Sequence, residues 1–222
     1  MKFNHYNPYK IPHLTRVTEN GKRYYLTPER KMYPSVTTVA GIFAKQGIVE
    51  WRKRVGEETA NKISVQASVR GTAVHKICED YINNVEDYTH KHMPANIESF
   101  NSIKPIIDKN IDNVIMQECP LYSDYLKVAG TVDCIAEWNK KLAIIDFKTS
   151  RKPKKLEWID SYFMQTSAYA VMFEEVTGRP INKLVVLITV DNSEPQIFIQ
   201  KRDDWIWRFK DARKEFADRY GY

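Results

Sequence analysis

No stretch of this sequence approaches the ~20 consecutive apolar residues of a membrane span, so no membrane partner is expected. Cysteine is scarce: Cys78, Cys119 and Cys134 are scattered, with no Cys-x-x-Cys pair. Three thiols cannot supply the four thiolates of an iron–sulfur cluster or of a structural zinc site, and scattered thiols suit a reducing, cytosol-like compartment. The opening residues, among them Lys2, Phe3, His5 and Tyr6, carry neither a signal-peptide apolar region nor an Arg/Ser-rich transit character. Internal repeats, low-complexity tracts and linkers are lacking too. What remains is a chain of 222 residues, 43% hydrophobic and 28% charged, which is ordinary for one globular domain able to bury a core. Its net charge of +6 suits a polyanion such as nucleic acid without specifying one.

The periodicities divide the chain. Residues 14–26 alternate around Asn20-Gly21, a hairpin turn signal, and predict a small β-ribbon rich in tyrosine. Ser35 or Thr37 is an N-cap for a short helix to about Lys45, with Gly47 as its breaker. Amphipathic helices are expected over 48–63 and 65–83, the second with Val69, Ala73, Ile77 and Tyr81 at four-residue spacing. Residues 84–96 read as a polar loop or arch, and 97–109 as a helix interrupted by Pro105. Strand-like runs follow at 114–119, 125–138 and 142–148. A long helix over 158–177 ends at Gly178-Arg179-Pro180, strands follow at 184–190 and 196–200, and a last helix spans 205–220. The expectation is one α/β domain: a mainly helical part with a hairpin over 1–110, a mixed-sheet core flanked by helices over 111–202, and a closing helix over 203–222.

The stretch Leu142-Ala-Ile-Ile-Asp-Phe-Lys-Thr149 concentrates the chemistry. Side chains alternate along a strand, so Asp146 and Lys148 share one face while Phe147 enters the other layer. A carboxylate and an ammonium at the end of a buried strand must be paired or meet ligands, and a divalent cation with a phosphate would satisfy both. Taken alone, Asp-x-Lys reads more simply as a strand-end ion pair. If the preceding strand pairs through the turn at 139–141, Asp133 comes to the same sheet edge. Two carboxylates and a lysine are what phosphodiester hydrolysis needs: metal ligands that polarise phosphate and water, and a cation to steady the charge that develops. His75 and Glu79 share a helix face, as metal donors or merely bonded to each other. Gln165 and Tyr169 pair likewise on the helix after Lys148, either supporting it or simply buried. The basic, hydroxylated run Thr149, Ser150, Arg151, Lys152, Lys154 and Lys155 lies at the mouth of this presumed site, where it can track phosphates. Trp51, Tyr24, Tyr25 and Trp158 are candidates for stacking on unpaired bases, though most aromatics in a chain are core.

In order, Gly71-Thr-x-x-His75, Gly130-x-x-Asp133, Ile145-Asp-Phe-Lys-Thr149 and Gln165-x-x-x-Tyr169 resemble the motif series of the RecB-like branch of the PD-(D/E)XK nucleases. The run from Asp133 to Lys154, together with Pro34-Ser-Val-Thr37, is similar in more detail to the mitochondrial genome maintenance exonuclease family. The resemblance covers roughly residues 33–200. It implies a restriction-endonuclease-like fold and a deoxyribonuclease using one or two Mg²⁺ or Mn²⁺ ions. The implied substrate is a single-stranded DNA end, in replication, repair or recombination, with proteins of those processes as partners. It further implies His75, Asp133, Asp146 and the Phe147 carbonyl as metal ligands and Lys148 as the catalytic lysine. Glu118, Gln165 and Tyr169 become supporting residues, joined by Glu79 from its helix spacing with His75. The missing four-cysteine set sets the chain apart from the iron–sulfur members. The missing presequence points to a bacterial or phage protein acting in the cytoplasm. A structure-selective endonuclease and a non-catalytic nucleic-acid-binding module remain the alternatives.

Overall fold

Asn20 and Gly21 both adopt positive φ (50° and 70°), the turn chemistry that lets two strands close tightly. They join β1 (Thr15–Glu19) to β2 (Lys22–Leu26), and the ribbon gains a third strand that the sequence pattern does not announce, β3 (Met32–Pro34). The structure is a computed structural model describing residues 2–221. Ser35 caps α1 (Val36–Ala40) by accepting the Thr38 N–H at 3.1 Å. Gly47 does not break a helix: it sits inside α2 (Lys45–Val55). The break falls at Gly56, whose φ of 84° is a conformation side chains rarely adopt, and α3 (Glu57–Ile82) starts directly after it. The expected 48–63 helix is thus cut in two, and the next one begins eight residues early.

Residues 84–93 are not an open arch. Tyr88 packs edge-on against Tyr81 and Phe100, with centroids 4.8 and 5.5 Å apart, and folds the connection onto the core. In α4 (Pro94–Asn110) the helix continues through Pro105. Burial of Phe100, Ile103 and Ile107 on both sides of it offsets the lost hydrogen bond, a cost of about 3 kcal/mol.

The rest of the chain builds a five-stranded sheet from β4 (Ile111–Ser123), β5 (Val128–Trp138), β6 (Lys141–Ser150), β7 (Lys183–Val190) and β8 (Gln196–Lys201), in that spatial order. Among the five strands of this sheet only β6 and β7 pair in parallel, joined across α5 (Asp160–Thr177). The β5–β6 hairpin closes on Asn139 and Lys140, both at positive φ, and so fixes Trp138 opposite Lys141. Helices cover both faces, as the α/β reading expects. Ala143, Ile145 and Phe147 pack with α3 and α4, whereas Ile144, Leu184 and Val186 pack with α1, α5 and α6 (Ile206–Tyr220). The strict alternation in β6 puts Asp146 on the α5 face and Phe147 on the α3 face.

Candidate active site

The cleft arises where two strands part. The β5–β6 ladder ends at Cys134↔Ile145, while β6 stays paired to β7 as far as Ser150↔Val190. Past that point the Asp133 carboxylate takes the place of a strand partner, accepting the Phe147 N–H at 3.0 Å. This one bond satisfies a buried amide and pins Asp133 at the open end of the sheet.

Four elements meet there. From α3, His75 brings Nδ1 to 3.5 Å from Asp133 Oδ2. From β4, Glu118 lies across from Asp133, since Gln117 pairs with Cys134 and Cys119 with Val132. Its φ of 44° is uncommon for a residue with a side chain and marks local strain of the kind that collects at functional sites. One donor atom each from His75, Glu118 and Asp133 lie within 4.8 Å of one another. From β6 and α5 comes the second half. Lys148 Nζ lies 2.5 Å from Asp146 Oδ2, and Gln165 Nε2 donates to Asp146 Oδ1 at 3.1 Å. The lysine contact is close but not aligned as a hydrogen bond, so the buried Oδ2 keeps lone pairs unused. The Tyr162 ring lies 5.2 Å from Lys148 Nζ.

The charges explain the protonation states. Partial burial against the cleft wall, then the nearby Asp133 and Glu79 carboxylates, push Glu118 up to about 7. Glu118 still touches water, which moderates the energetic weight of that shift. Burial also raises Asp146, and Lys148 offsets only part of the cost. Lys148 itself is held protonated: Asp146 and Asp133 outweigh its desolvation. An imidazole and carboxylates on a floor where like charges crowd form the donor set a divalent cation fits, whereas Asp146, expected from the sequence to be a ligand, lies outside that three-residue group with its buried Oδ2 against Lys148.

Tyr169 explains Gly130. A Cβ built on Gly130 would stand 2.8 Å from the Tyr169 hydroxyl and 3.0 Å from its ring. We expect Gly130→Ala to lose about 1–3 kcal/mol of stability through overpacking, read as a lower melting temperature. Tyr169→Phe in the same chain should recover part of the loss, and full additivity of the two changes would sink this account. Gly71 is less constrained, because a Cβ there would make only ordinary contact with Thr149 Oγ1, 3.9 Å away.

The cleft encloses about 740 Å³ and takes in His75, Glu79, Glu118, Asp133, Lys148, Gln165 and Tyr169. Glu79 does not bond His75; it pairs with Lys76 at 3.0 Å, and its backbone carbonyl accepts from Gln117. Beyond the Gly71–Thr149 contact a second groove of about 640 Å³ runs between α3, α4 and the ends of β6 and β7. Thr149, Ser150 and Arg151 line it, with Arg151 bonded to Gln66 at 2.8 Å. Lys152, Lys154 and Lys155 line neither cleft. The Lys154 backbone is tied to Gln196 by two bonds, and Lys155 lies over the Trp158 ring at 5.2 Å. Trp158 is 60% exposed, whereas Tyr24 is core and unable to stack on a base. Sequence reasoning missed Tyr162, Arg16, Arg23 and Thr37. Tyr162 was within reach, since it precedes Gln165 by three residues on one helix face. Arg16 and Arg23 needed the tertiary position of the β1–β2 ribbon, and Thr37 that of α1.

Comparison with known proteins bears on this geometry. The sequence profile of the PD-(D/E)XK nuclease superfamily matches residues 73–219. The chain is 30% identical over 154 residues to human mitochondrial genome maintenance exonuclease 1, covering 64% of this chain and 44% of that protein. Against the Xenopus tropicalis protein of that name it is 30% identical over 182 residues, covering 74% and 52%. The chain thus spans about half the length of these relatives. A solved structure from Eubacterium rectale, provisionally described as an exonuclease, superposes with a TM-score of 0.50 at 13% identity. It covers 68% of this chain and 65% of its own, a likeness of fold.

Proposed function

The chain belongs to the PD-(D/E)XK nuclease superfamily, and from that premise we propose that it is a divalent-metal-dependent exonuclease acting on single-stranded DNA ends. The observation that carries the proposal is the convergence of His75, Glu118 and Asp133 donors within 4.8 Å, next to the Asp146–Lys148 pair. His75, Asp133 and Glu118 would hold one cation, with Asp146 Oδ2 and the Phe147 carbonyl at its edge. Glu118 thereby passes from a supporting residue to a ligand. A bound Mg²⁺ or Mn²⁺, one ion or two, supplies Lewis-acid polarisation of the phosphate and lowers the pKa of water.

The chain's own groups do the rest. Lys148, kept cationic, donates to the attacking water or to a phosphoryl oxygen and steadies the negative charge that grows there. Gln165 fixes the rotamer of Asp146, and Asp146 in turn fixes Lys148. Asp133 holds the mouth of the cleft open through the Phe147 amide. Thr149, Ser150 and Arg151 steer the strand into the second groove, while Lys152, Lys154 and Lys155 add charge at its outer rim. Among the described residues no helix is long and apolar enough to cross a membrane. We place the protein in DNA replication, repair or recombination, in a bacterial cell or a phage-infected cytoplasm, alongside proteins of those processes. The similarity to exonuclease-named relatives supports the exonuclease activity.

The test is a time course on 5′- and 3′-labelled linear single strands with Mg²⁺ or Mn²⁺, beside a covalently closed circle. Progressive shortening from one end, with the circle untouched, is the expected result. Rapid cutting of the circle would replace the exonuclease with a structure-selective endonuclease. Binding without any cutting would leave a nucleic-acid-binding module.

A further inference from the structure

The positive charges lining the active-site cleft are unequally occupied. Lys148 is taken by Asp146, and Lys76 by Glu79 and Asp80 at 3.0 and 2.9 Å. Arg16 and Arg23 line the same cleft, and among the described residues neither has an ion-pair partner. Their placement is set by the ribbon. Arg16 stands opposite Tyr25 and Arg23 opposite Thr18, so Arg16, Thr18, Arg23 and Tyr25 share one face, with the two arginines as diagonal neighbours. Like charges so placed repel unless an anion joins them.

The ribbon is also fixed relative to the chemistry. Tyr25 and Tyr33 pack with Ala129, Ser35 forms an isolated bridge with Ala129, and the Ser35 N–H donates to the Arg23 carbonyl at 2.9 Å. Ala129 adjoins Gly130 and lies four residues before Asp133 on β5. Thr37, exposed on the same wall, adds a hydroxyl 3.1 Å from Ser35 Oγ.

We propose that Arg16 and Arg23 form a phosphate clamp for the nucleic-acid strand, gripping a phosphodiester next to the scissile one while the acidic floor holds the metal. This rests on the nuclease reading. It also gives the three-stranded ribbon a function of its own. An acidic floor repels DNA, and two guanidiniums on the facing wall, each able to fork onto phosphate oxygens, reverse that field where the strand enters.

The experiment uses the full chain in a Lys148→Ala background with Mn²⁺ present, so that binding of a fluorescein-labelled single-stranded DNA is measured while cutting is slowed at least about a hundredfold. Arg16→Gln and Arg23→Gln are each expected to weaken binding about tenfold and to flatten the plot of log K against log salt by roughly 0.7 per contact removed. A series of oligonucleotides with one neutral methylphosphonate at successive positions should reveal a linkage whose neutralisation costs the parent about tenfold but costs the arginine variants little. Matching melting curves exclude misfolding. If wild type cuts single strands but both variants keep the parent's salt slope and methylphosphonate profile, the clamp is wrong and the nuclease reading stands. If wild type neither binds nor cuts, both fall.

Discussion

Replacing Lys148 by alanine is expected to lower turnover on single-stranded DNA by about 10²–10³-fold, the usual cost of removing one preorganised charge at a transition state. Affinity for the strand should change little, because in the proposed binding mode Arg16, Arg23 and the second groove carry the contacts with the substrate backbone. The fold should survive as well. Asp146 loses its counter-charge, but burial already raises its pKa, so it can take up a proton rather than remain an isolated buried anion. Arginine is not a substitute: its planar fork needs space that Tyr162 and Asp146 occupy, and Lys148→Arg should stay at least tenfold impaired. Burst-free single-turnover rates on an end-labelled strand, beside anisotropy binding curves, separate these effects. Activity of Lys148→Ala within threefold of wild type would remove the lysine from the mechanism.

Chelation of divalent cations is expected to abolish cleavage, with recovery on adding Mn²⁺, and the same ion should stabilise the fold in a pH-dependent way. Burial, then the Asp133 and Glu79 carboxylates, push Glu118 up to about 7 in the folded chain, from its ordinary carboxyl value near 4.5. A raised carboxyl favours its protonated form, so the contribution of Glu118 to metal-free stability is greatest below about 4.5 and declines as pH rises to about 7. Since Glu118 touches solvent, the decline is well under the ~1.4 kcal/mol per pH unit of a single titrating group. A cation binds the ionised set and removes this penalty, so the Mn²⁺-induced rise in melting temperature should be larger at pH 8 than at pH 6. Glu118→Gln should shrink that difference and Asp133→Ala should erase the rise. Equal rises at both pH values would exclude Glu118 from the metal set.

Much of the site was legible in the chain because its logic is local. The two-residue period of a strand sets Asp146 and Lys148 on one face and Phe147 on the other, whatever surrounds them. Asn20-Gly21 fixes the register of the ribbon, and the four-residue helix spacing aligns Gln165 with Tyr169. The ordered motifs then point to nucleic-acid hydrolysis. Where the reading failed, a local rule was outweighed by packing or by a neighbouring residue: Pro105 sits in a continuous helix because the aliphatic residues around it are buried, and Gly56, not Gly47, carries the turn.

The sequence by itself determined which side chains come in pairs. Only the tertiary structure decided which pairs meet. The parting of β5 from β6 depends on β7 holding one strand while Asp133 caps the amide of Phe147, a balance no single segment encodes. Glu118 reaches His75 and Asp133 through a positive φ that no residue-type rule anticipates for glutamate, and Gly130 reads as special only once Tyr169 lies against it. Arg16 and Arg23 face the acidic floor because the ribbon docks on Ala129, more than a hundred residues away. Contacts of that separation are fixed by the closing of the whole core, and that is why they appear in the fold and not in the pattern.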